Sequence, residues 1–130
     1  MARGVIHDAS LLPGYVATIH SVPKGLVTYH IKDHECEIIS LNSLLEKTGI
    51  GSALITAVRN LAKSHSCGRL WLITTNDNLN AIRFYLAYGF RIAMVHRNAI
   101  ENSHRLKPEI SKLGYNGIPI LHEIEMEYLL

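Results

Sequence analysis

Residues 35–63, ECEIISLNSLLEKTGIGSALITAVRNLAK, change their hydrophobic spacing halfway along, at a turn that contains two glycines. The first seven residues, 35–41, alternate as in a β-strand, which predicts that the odd-numbered side chains share one face. After Gly51 the apolar residues recur at every third or fourth position, which is the spacing of a helix with one buried face. The stretch predicts a strand, a glycine turn and a helix that ends near His65, with Gly68 as its stop.

Two more strands are predicted before this stretch, at Tyr15–Ser21 and Leu26–Ile31. Pro23-Lys24-Gly25 carries the composition of a turn between them, and Lys32-Asp33-His34 that of a second turn. Strands joined by such short turns are typical of an antiparallel meander. We therefore expect three meandering strands ahead of the helix.

After the helix, the pattern predicts a strand, a second helix and two more strands. Leu70–Thr75 is a nearly continuous apolar run, which suits a strand covered on both faces. Asn76-Asp77 is expected to cap the second helix and Gly89 to end it. The second helix is predicted at Leu79–Tyr88 and the next strand at Phe90–His96. A short helix or loop is predicted at Asn98–Lys107, a loop at Gly114–Pro119 and a half-solvated closing strand at Glu123–Leu129.

The composition is that of an ordinary globular protein. The chain has 130 residues, of which 48% are hydrophobic and 18% are charged, so we expect a single domain over residues 1–130. A net charge of +2 predicts neither a nucleic acid nor a membrane surface as partner. Cys36 and Cys67 are too few for a disulfide framework, which fits the reducing cytoplasm, and the eight histidines lack the spacing of a metal site.

The turn Glu46-Lys47-Thr48-Gly49-Ile50-Gly51 has the features of an anion site. The first N–H groups of a helix have no partner within the helix, and the helix dipole adds partial positive charge there. Glycines let an anion approach the backbone closely, and Lys47 is expected to add a charged contact. The turn matches neither a Walker loop nor the Rossmann fingerprint. Alternatively, these glycines serve only the turn and its packing.

A second motif narrows this interpretation. It follows the strand at 70–75 and reads Asn78-x-x-Ala81-x-x-Phe84-Tyr85-x-x-x-Gly89-Phe90. This motif resembles the second signature of the GNAT superfamily of N-acetyltransferases, and the glycine turn resembles its Gln/Arg-x-x-Gly-x-Gly/Ala motif. Glu46 departs from the family by standing where Gln or Arg is usual. The stretch before the meander is also shorter than in most members.

The resemblance implies a fold and an activity. The fold would be α+β (mixed α/β), a GNAT-like central mixed β-sheet with an N-terminal antiparallel meander, helices on both faces and a shortened N-terminus. The activity would be acetyl-CoA-dependent transfer of an acetyl group to a primary amine, by direct attack in a ternary complex and without a metal. The implied co-substrate is therefore acetyl-CoA.

In the family, acetyl-CoA lies in a cleft between two splayed strands, which here would be 35–41 and 70–75. The resemblance implies that backbone groups around Ser40, Leu41 and Asn42 bind the pantetheine arm and the thioester carbonyl. Asn78 would contact the same arm, or else cap its helix. The pyrophosphate would be held by the turn and the start of the helix, at Lys47, Thr48, Gly49, Ile50, Gly51 and Ser52.

Two residues are candidates for proton transfer. The resemblance implies that Tyr85 binds near the coenzyme and protonates the coenzyme A thiolate as it leaves; the alternative is a core aromatic. Glu37 is the candidate general base, because an alkyl ammonium must lose a proton before attack. A water relay and a merely exposed strand carboxylate remain alternatives to Glu37. His96 and Arg97 end a strand near the acceptor side and are possible substrate contacts.

The acceptor is expected to be an amine on a small molecule or a peptide. A shortened N-terminus would leave apolar sheet surface uncovered, which predicts a homodimer. The second candidate function is a non-catalytic acyl-CoA-binding or regulatory module. Glu46 and the short N-terminus favour it, because a carboxylate repels phosphates.

Overall fold

The computed structural model describes residues 12–43, 49–97 and 122–130. Its six strands form one mixed sheet in the order β1-β2-β3-β4-β6-β5, as the GNAT-like fold predicts. The predicted elements at 98–107 and 114–119 lie outside the described residues. The bounds are β1 Gly14–Ile19, β2 Val22–Lys32, β3 Glu35–Ser43, α1 Ile50–Ser64, β4 Arg69–Thr75, α2 Leu79–Tyr88, β5 Arg91–His96 and β6 Glu123–Leu129.

The described residues group into two compact units. The amino-terminal unit contains the residues up to Trp71 together with Leu129–Leu130, and the carboxy-terminal unit contains those from Leu72 to Tyr128. The prediction of a single domain stays a prediction.

The predicted turn at Pro23-Lys24-Gly25 is wrong, because these residues lie within β2. The chain reverses earlier, at His20 and Ser21, whose φ values of 50° and 66° suit a tight hairpin turn. Pro23 pairs with Thr18 beside a register shift in the antiparallel β1–β2 ladder. A bulge is one of the few places where a sheet tolerates proline, since proline donates no ladder hydrogen bond.

Gly25 serves packing instead of a turn. A Cβ atom at this position would lie 2.7 Å from Cγ2 of Ile50 and 3.0 Å from Cδ1 of Leu54. Both of those residues belong to α1 and are buried. The missing side chain therefore lets the first turns of α1 lie directly on β2.

The β2–β3 hairpin turns at Asp33 and His34, as predicted, and both residues have positive φ. Its antiparallel ladder pairs Thr28 with Ser40 but Tyr29 with Ile38, so Ile39 is an extra residue on β3. Such a bulge interrupts the strict alternation of side chains. The prediction that all odd-numbered residues of 35–41 share one face is therefore wrong beyond Ile38.

Helix α1 buries the apolar face that its spacing predicts, and the buried set is Ile50, Leu54, Ile55, Val58 and Ala62. The predicted stop at Gly68 is wrong. Ser66 has the left-handed φ of 58° instead. Its N–H donates to the Lys63 carbonyl at 3.1 Å, and the Cys67 N–H donates to the Ala62 carbonyl at 3.0 Å. This pair of hydrogen bonds is the Schellman motif, which satisfies the last carbonyls of the helix.

In the carboxy-terminal unit, α2 ends at Gly89 as predicted, with φ of 126°. A Cβ atom there would lie 3.1 Å from the Tyr128 ring. The rings of Tyr88, Phe90 and Tyr128 pack against one another, with centroids 5.6–5.8 Å apart. These contacts hold α2 against the face of β6 that carries Tyr128.

The predicted half-solvated character of β6 is wrong. Glu123, Glu125 and Glu127 are 2%, 6% and 9% exposed, although their strand alternates acidic and apolar residues. The strand lies between β4 and β5, so both of its edges are paired. Glu127 forms a salt bridge with Arg91, and Glu125 contacts His96. Strand neighbours thus supply the partners that buried carboxylates require.

Candidate functional site

The N-terminus of α1 carries the predicted glycine turn. Gly49 is the N-cap residue, with left-handed φ of 83° and ψ of −1°. The first intrahelical hydrogen bond runs from the Ala53 N–H to the Gly49 carbonyl at 3.0 Å. The backbone N–H groups of Ile50, Gly51 and Ser52 precede this bond and therefore have no partner within the helix.

This helix end is open to an anion. Among the described residues, no side chain caps the first turn, and the turn contains no acidic residue. Gly49 is exposed, and a Cβ atom added to it would meet nothing within 4 Å. Three directed N–H groups, the helix dipole and free space together form a site for a phosphate or carboxylate. Glu46, Lys47 and Thr48 belong to the predicted turn but lie outside the described residues.

The bulge on β3 lies next to the predicted pantetheine-binding segment. Ser40 and Leu41 are half-buried and Asn42 is exposed. The Ser40 hydroxyl lies 2.5 Å from the hydroxyl of Thr28, its partner across the β2–β3 ladder. Bulges often occur beside active sites because they redirect backbone groups out of the ladder. In the sequence, this bulge is indicated only by the adjacent pair Ile38-Ile39, which interrupts the alternation of the strand.

Glu37 lies on the same strand before the bulge and is only 8% exposed. The alternative of an exposed strand carboxylate is therefore wrong. His30 faces Glu37 across the β2–β3 ladder. The pKa of the neighbouring Cys36 thiol is raised chiefly by burial, and then by the charges of Cys67 and Glu37. A buried carboxylate beside an imidazole has the chemistry of a proton acceptor. The role of Glu37 as a base stays a prediction.

Tyr85 is the one residue of α2 that is buried, with 7% exposure. Its ring centroid lies 5.2 Å from that of Phe84 and 5.3 Å from that of Phe90, both in edge-to-face geometry. Burial raises the pKa of its phenol to about 12. Tyr85 therefore packs as a core aromatic, and its hydroxyl carries a proton throughout the physiological pH range.

Asn78 caps α2, which was one of its two predicted roles. Its Oδ1 accepts a hydrogen bond from the Ala81 N–H at 3.2 Å. The expectation that Asn76-Asp77 supplies the cap is wrong. Asn76 instead links the end of β4 to the start of β6. Its Oδ1 accepts a hydrogen bond from the His122 N–H at 2.9 Å, and its own N–H donates to the His122 carbonyl.

The predicted site residues divide between the two units. The amino-terminal unit brings together Gly49, Ile50, Gly51 and Ser52 in one turn, and it also holds Glu37 and Ser40–Asn42 on β3. Asn78 and Tyr85 lie on α2 of the carboxy-terminal unit. The cleft expected between the strands at 35–41 and 70–75 stays a prediction.

Within residues 12–43, 49–97 and 122–130, no group of three His, Cys, Asp or Glu side chains is arranged to hold a metal ion. In the same part of the chain, neither helix has the length and hydropathy that a membrane span requires.

The match to a family model decides the classification. The model for the Acetyltransferase (GNAT) family matches residues 5–90 of this chain. The chain belongs to the GNAT family of acetyltransferases. The matched residues include the glycine turn at α1 and the motif on α2, which are the two segments that carry the resemblance in the sequence.

Two proteins of Bacillus subtilis (strain 168) are relatives of this GNAT chain. YdhI is 52% identical over 100 residues, which cover 77% of this chain and 62% of YdhI. YxbD is 42% identical over 100 residues, which cover 77% of this chain and 63% of YxbD. The chain therefore spans less than two thirds of the length of either relative.

A solved structure confirms the GNAT fold. It is that of a GNAT family acetyltransferase from Elizabethkingia anophelis with acetyl-CoA bound. The TM-score is 0.78 at 24% sequence identity, and the match covers 90% of this chain and 76% of that chain. At this level of sequence identity, the similarity is evidence for the fold alone.

Proposed function

We propose that this chain is an acetyl-CoA-dependent N-acetyltransferase that transfers the acetyl group to a primary amine by direct attack in a ternary complex. The observation that carries the proposal is the uncapped N-terminus of α1, with Gly49 in a left-handed conformation at the position of the family's glycine motif. Membership of the GNAT family and the acetyl-CoA in the Elizabethkingia anophelis structure support it.

The coenzyme pyrophosphate is assigned to the N–H groups of Ile50, Gly51 and Ser52. Gly49 lets the phosphates approach, and Lys47 and Thr48 complete the proposed turn. This assignment does not depend on the side chain at Glu46, because the backbone supplies the donors. Glu46→Gln is therefore expected to leave acetyl-CoA binding intact or improve it.

The pantetheine arm and the thioester are assigned to β3. Backbone groups of Ser40, Leu41 and Asn42 are proposed to hold them, next to the bulge at Ile39. A backbone N–H aimed at the developing oxyanion lowers the barrier to acyl transfer. The Asn78 side chain has an amide NH2 group in addition to its capping oxygen, so a contact to the arm is compatible with the cap.

Tyr85 is proposed as the group that stabilises the leaving thiolate. Full proton transfer from a phenol of pKa about 12 to a thiolate, whose thiol has a pKa of about 8.5, is uphill by roughly 5 kcal/mol. A charged hydrogen bond from the phenol avoids that cost and is worth about 1.5–3 kcal/mol, which is roughly 10–150-fold in rate. The proposed role is therefore hydrogen-bond donation, and solvent completes the protonation of the thiolate.

The acceptor must lose a proton before or during attack, because an alkyl ammonium has a pKa near ~10.4. Glu37 or a water relay is proposed to receive it. The acceptor is proposed to be an amine on a small molecule or peptide, and the location the cytoplasm. Exposed apolar side chains on the edge strand β1, including Val16 at 57%, support the proposal of a homodimer.

Turnover tests the proposal directly. The protein is incubated with acetyl-CoA and a panel of primary amines, and thiol release is followed together with formation of the acetylated amine. We expect release with at least one amine and none without an amine.

The burial of Tyr85 favours a second candidate, a non-catalytic acyl-CoA-binding or regulatory module, because a core aromatic needs no catalytic role. Binding of acetyl-CoA without thiol release for any amine would support this module. A lack of binding to acetyl-CoA and coenzyme A would contradict both candidates.

A further inference from the structure

A pair of hydroxyl groups lies at the segment of β3 to which the thioester is assigned. Thr28 and Ser40 stand opposite each other in the β2–β3 ladder, and their hydroxyl oxygens are 2.5 Å apart. Both residues belong to the amino-terminal unit, as do Glu37 and the glycine turn of α1. The proposed binding of the thioester uses only backbone groups of this segment, so the hydroxyl pair has no assigned role.

The hydroxyl pair lies on the face of the hairpin that is turned away from α1. Gly25 marks the other face, because a Cβ atom there would meet side chains of the helix. Side chains alternate along a strand, and the ladder is regular from Gly25 to Thr28, so Thr28 is on the face opposite the helix. His30 shares the face of Thr28 and is paired with Glu37. The candidate base and the hydroxyl pair are therefore on one face of two neighbouring strands.

Burial decides which hydroxyl donates the hydrogen bond. Thr28 is 5% exposed, whereas Ser40 is half-buried. A buried hydroxyl proton without an acceptor costs free energy, and the acceptor that the Thr28 hydroxyl contacts is the Ser40 oxygen. The donated proton therefore belongs to Thr28, and the Ser40 proton is left for a group outside the pair. Because the Ser40 oxygen already accepts a hydrogen bond, its own proton is the better donor.

We propose that Ser40, positioned by Thr28, donates a hydrogen bond from its hydroxyl to the thioester carbonyl oxygen of acetyl-CoA. The inference rests on the proposed function, which assigns backbone groups of Ser40 and its neighbours to the same thioester. The hydroxyl oxygen is only two bonds from the Cα atom of Ser40, so a group held by that backbone is within its reach. The bulge at Ile39, one residue earlier, redirects this part of β3 out of the regular ladder.

The hydrogen bond strengthens as the reaction proceeds. The amine nitrogen attacks the carbonyl carbon, the C–N bond forms, and the electron pair of the C=O π bond moves to the oxygen. Ser40 keeps its proton and stabilises the negative charge on that oxygen, beside the backbone N–H. When the electron pair returns to the carbonyl, the C–S bond breaks and the thiolate leaves. The ammonium proton goes to Glu37 or the water relay, so Ser40 takes no part in that transfer.

The first test compares Ser40→Ala with wild type on a primary amine that wild type acetylates. Removal of one donor to an oxyanion typically lowers kcat by about 10²–10³-fold. Ser40 is half-buried and shares the oxygen with a backbone N–H, so we expect kcat and kcat/KM to fall together, by at least ~10-fold. Acetyl-CoA binding, measured by calorimetry, should change less than twofold, because the contact strengthens in the transition state. The same titration reports that the variant is folded.

Thr28 is a positioning residue, and it is tested through Ser40. Thr28→Val keeps the shape of the side chain but removes the anchor of the Ser40 hydroxyl, so kcat should fall roughly 3–10-fold, and Thr28→Ser should recover most of the rate. The double variant should be no slower than Ser40→Ala alone, because Thr28 acts only through Ser40, whereas a packing defect would add to the loss. Thr18→Val is the control, since Thr18 is an exposed threonine of β1, and its kcat should stay within twofold of wild type.

A measurement without turnover separates this inference from the proposed function. Infrared difference spectroscopy of bound acetyl-CoA, with an isotope label in the thioester carbonyl, detects hydrogen bonds to the oxygen because they lower the stretching frequency. We expect a lower frequency in wild type than in Ser40→Ala. Equal frequencies, or an unchanged kcat in Ser40→Ala, would overturn the role of Ser40 and leave the proposed function intact.

Two further outcomes concern Thr28 and the reaction itself. A double variant that is slower than Ser40→Ala would overturn the positioning role of Thr28. If wild type acetylates no amine, the proposed transfer fails, and the two carbonyl frequencies alone decide whether Ser40 contacts the thioester.

Discussion

Substituting Gly25 by alanine tests how the N-terminus of α1, the proposed pyrophosphate site, is held in position. The added Cβ would lie 2.7 Å from Ile50 Cγ2, 3.0 Å from Leu54 Cδ1 and 3.1 Å from the Asn42 carbonyl oxygen. Carbon atoms in contact prefer about 3.5–4.0 Å, so the overlap with Ile50 is roughly 1 Å. Ile50 is β-branched and stiff, so relief requires α1 to move.

Overpacking of this kind typically costs about 1–3 kcal/mol. We take about 2 kcal/mol, which lowers the Tm of a chain of this length by roughly 6–10 °C. Ile50 opens α1, so the same displacement should weaken acetyl-CoA binding several-fold. Thermal denaturation by circular dichroism and titration calorimetry measure the two effects.

Gly68→Ala is the matched control. A Cβ atom at Gly68 would meet nothing within 4 Å, and Gly68 does not have a left-handed φ. Alanine there should leave the Tm unchanged or raise it, since it restricts the unfolded chain at no cost to packing. Equal Tm values for Gly25→Ala and Gly68→Ala would refute the close approach of β2 and α1.

Three further predictions concern the site and its surroundings. Gly49→Val forces a β-branched residue into a φ of 83° and should raise the Kd for acetyl-CoA at least ~10-fold by calorimetry, whereas Gly68→Val should not. Tyr85→Phe should lower kcat at least ~10-fold in the thiol-release assay with little change in acetyl-CoA binding; an unaltered kcat would remove Tyr85 from the mechanism. Burial raises the pKa of the Cys36 thiol from 9.0 to about 12, so as the pH rises the thiol ionises in the unfolded chain before it ionises in the folded one. The neutral thiol therefore stabilises the fold fully below pH 9 and less as the pH rises toward 12. The urea concentration at the midpoint of unfolding should therefore fall as the pH rises from 9 toward 12, and it should fall less steeply in Cys36→Ala. Equal slopes for wild type and Cys36→Ala would contradict this prediction.

Local patterns predicted most of the elements, because their signals lie within a few residues. The spacing of Leu54, Ile55 and Val58 is sufficient to predict the buried face of α1. Gly89 ends α2 because few other residues adopt its φ. The helix start at Gly49, where we propose that the pyrophosphate binds, was predictable for the same reason, since a helix start and its glycines are adjacent in sequence.

The failures arise where residue type leaves the structural role undecided. Pro23 and Gly25 look like a turn, yet one lies at a bulge and the other accommodates α1. Which of these uses applies depends on the position of a helix more than twenty residues away. The bulge at Ile39 likewise depends on the register with β2, which a single strand does not specify.

The acidic strand β6 gives the clearest case of a nonlocal effect. A strand in which acidic residues alternate with apolar ones, as at Glu123, Glu125 and Glu127, typically has one solvated face. The order of strands puts β6 between β4 and β5, where neighbouring side chains satisfy the carboxylates. The sequence left two roles open for Tyr85, a proton donor and a core aromatic. Its burial favours the second and changes its proposed role from proton transfer to hydrogen bonding.

Titration calorimetry with acetyl-CoA and with acetyl-pantetheine shows whether the N-terminus of α1 binds the pyrophosphate. The two molecules share the thioester and the arm, but acetyl-pantetheine lacks the adenosine nucleotide, including the pyrophosphate that we assign to the N–H groups of Ile50, Gly51 and Ser52. We predict that acetyl-CoA binds at least ~10-fold more tightly and that Gly49→Val removes most of this difference. Equal affinities for the two molecules, or no binding of acetyl-CoA, would show that the N-terminus of α1 does not hold the pyrophosphate.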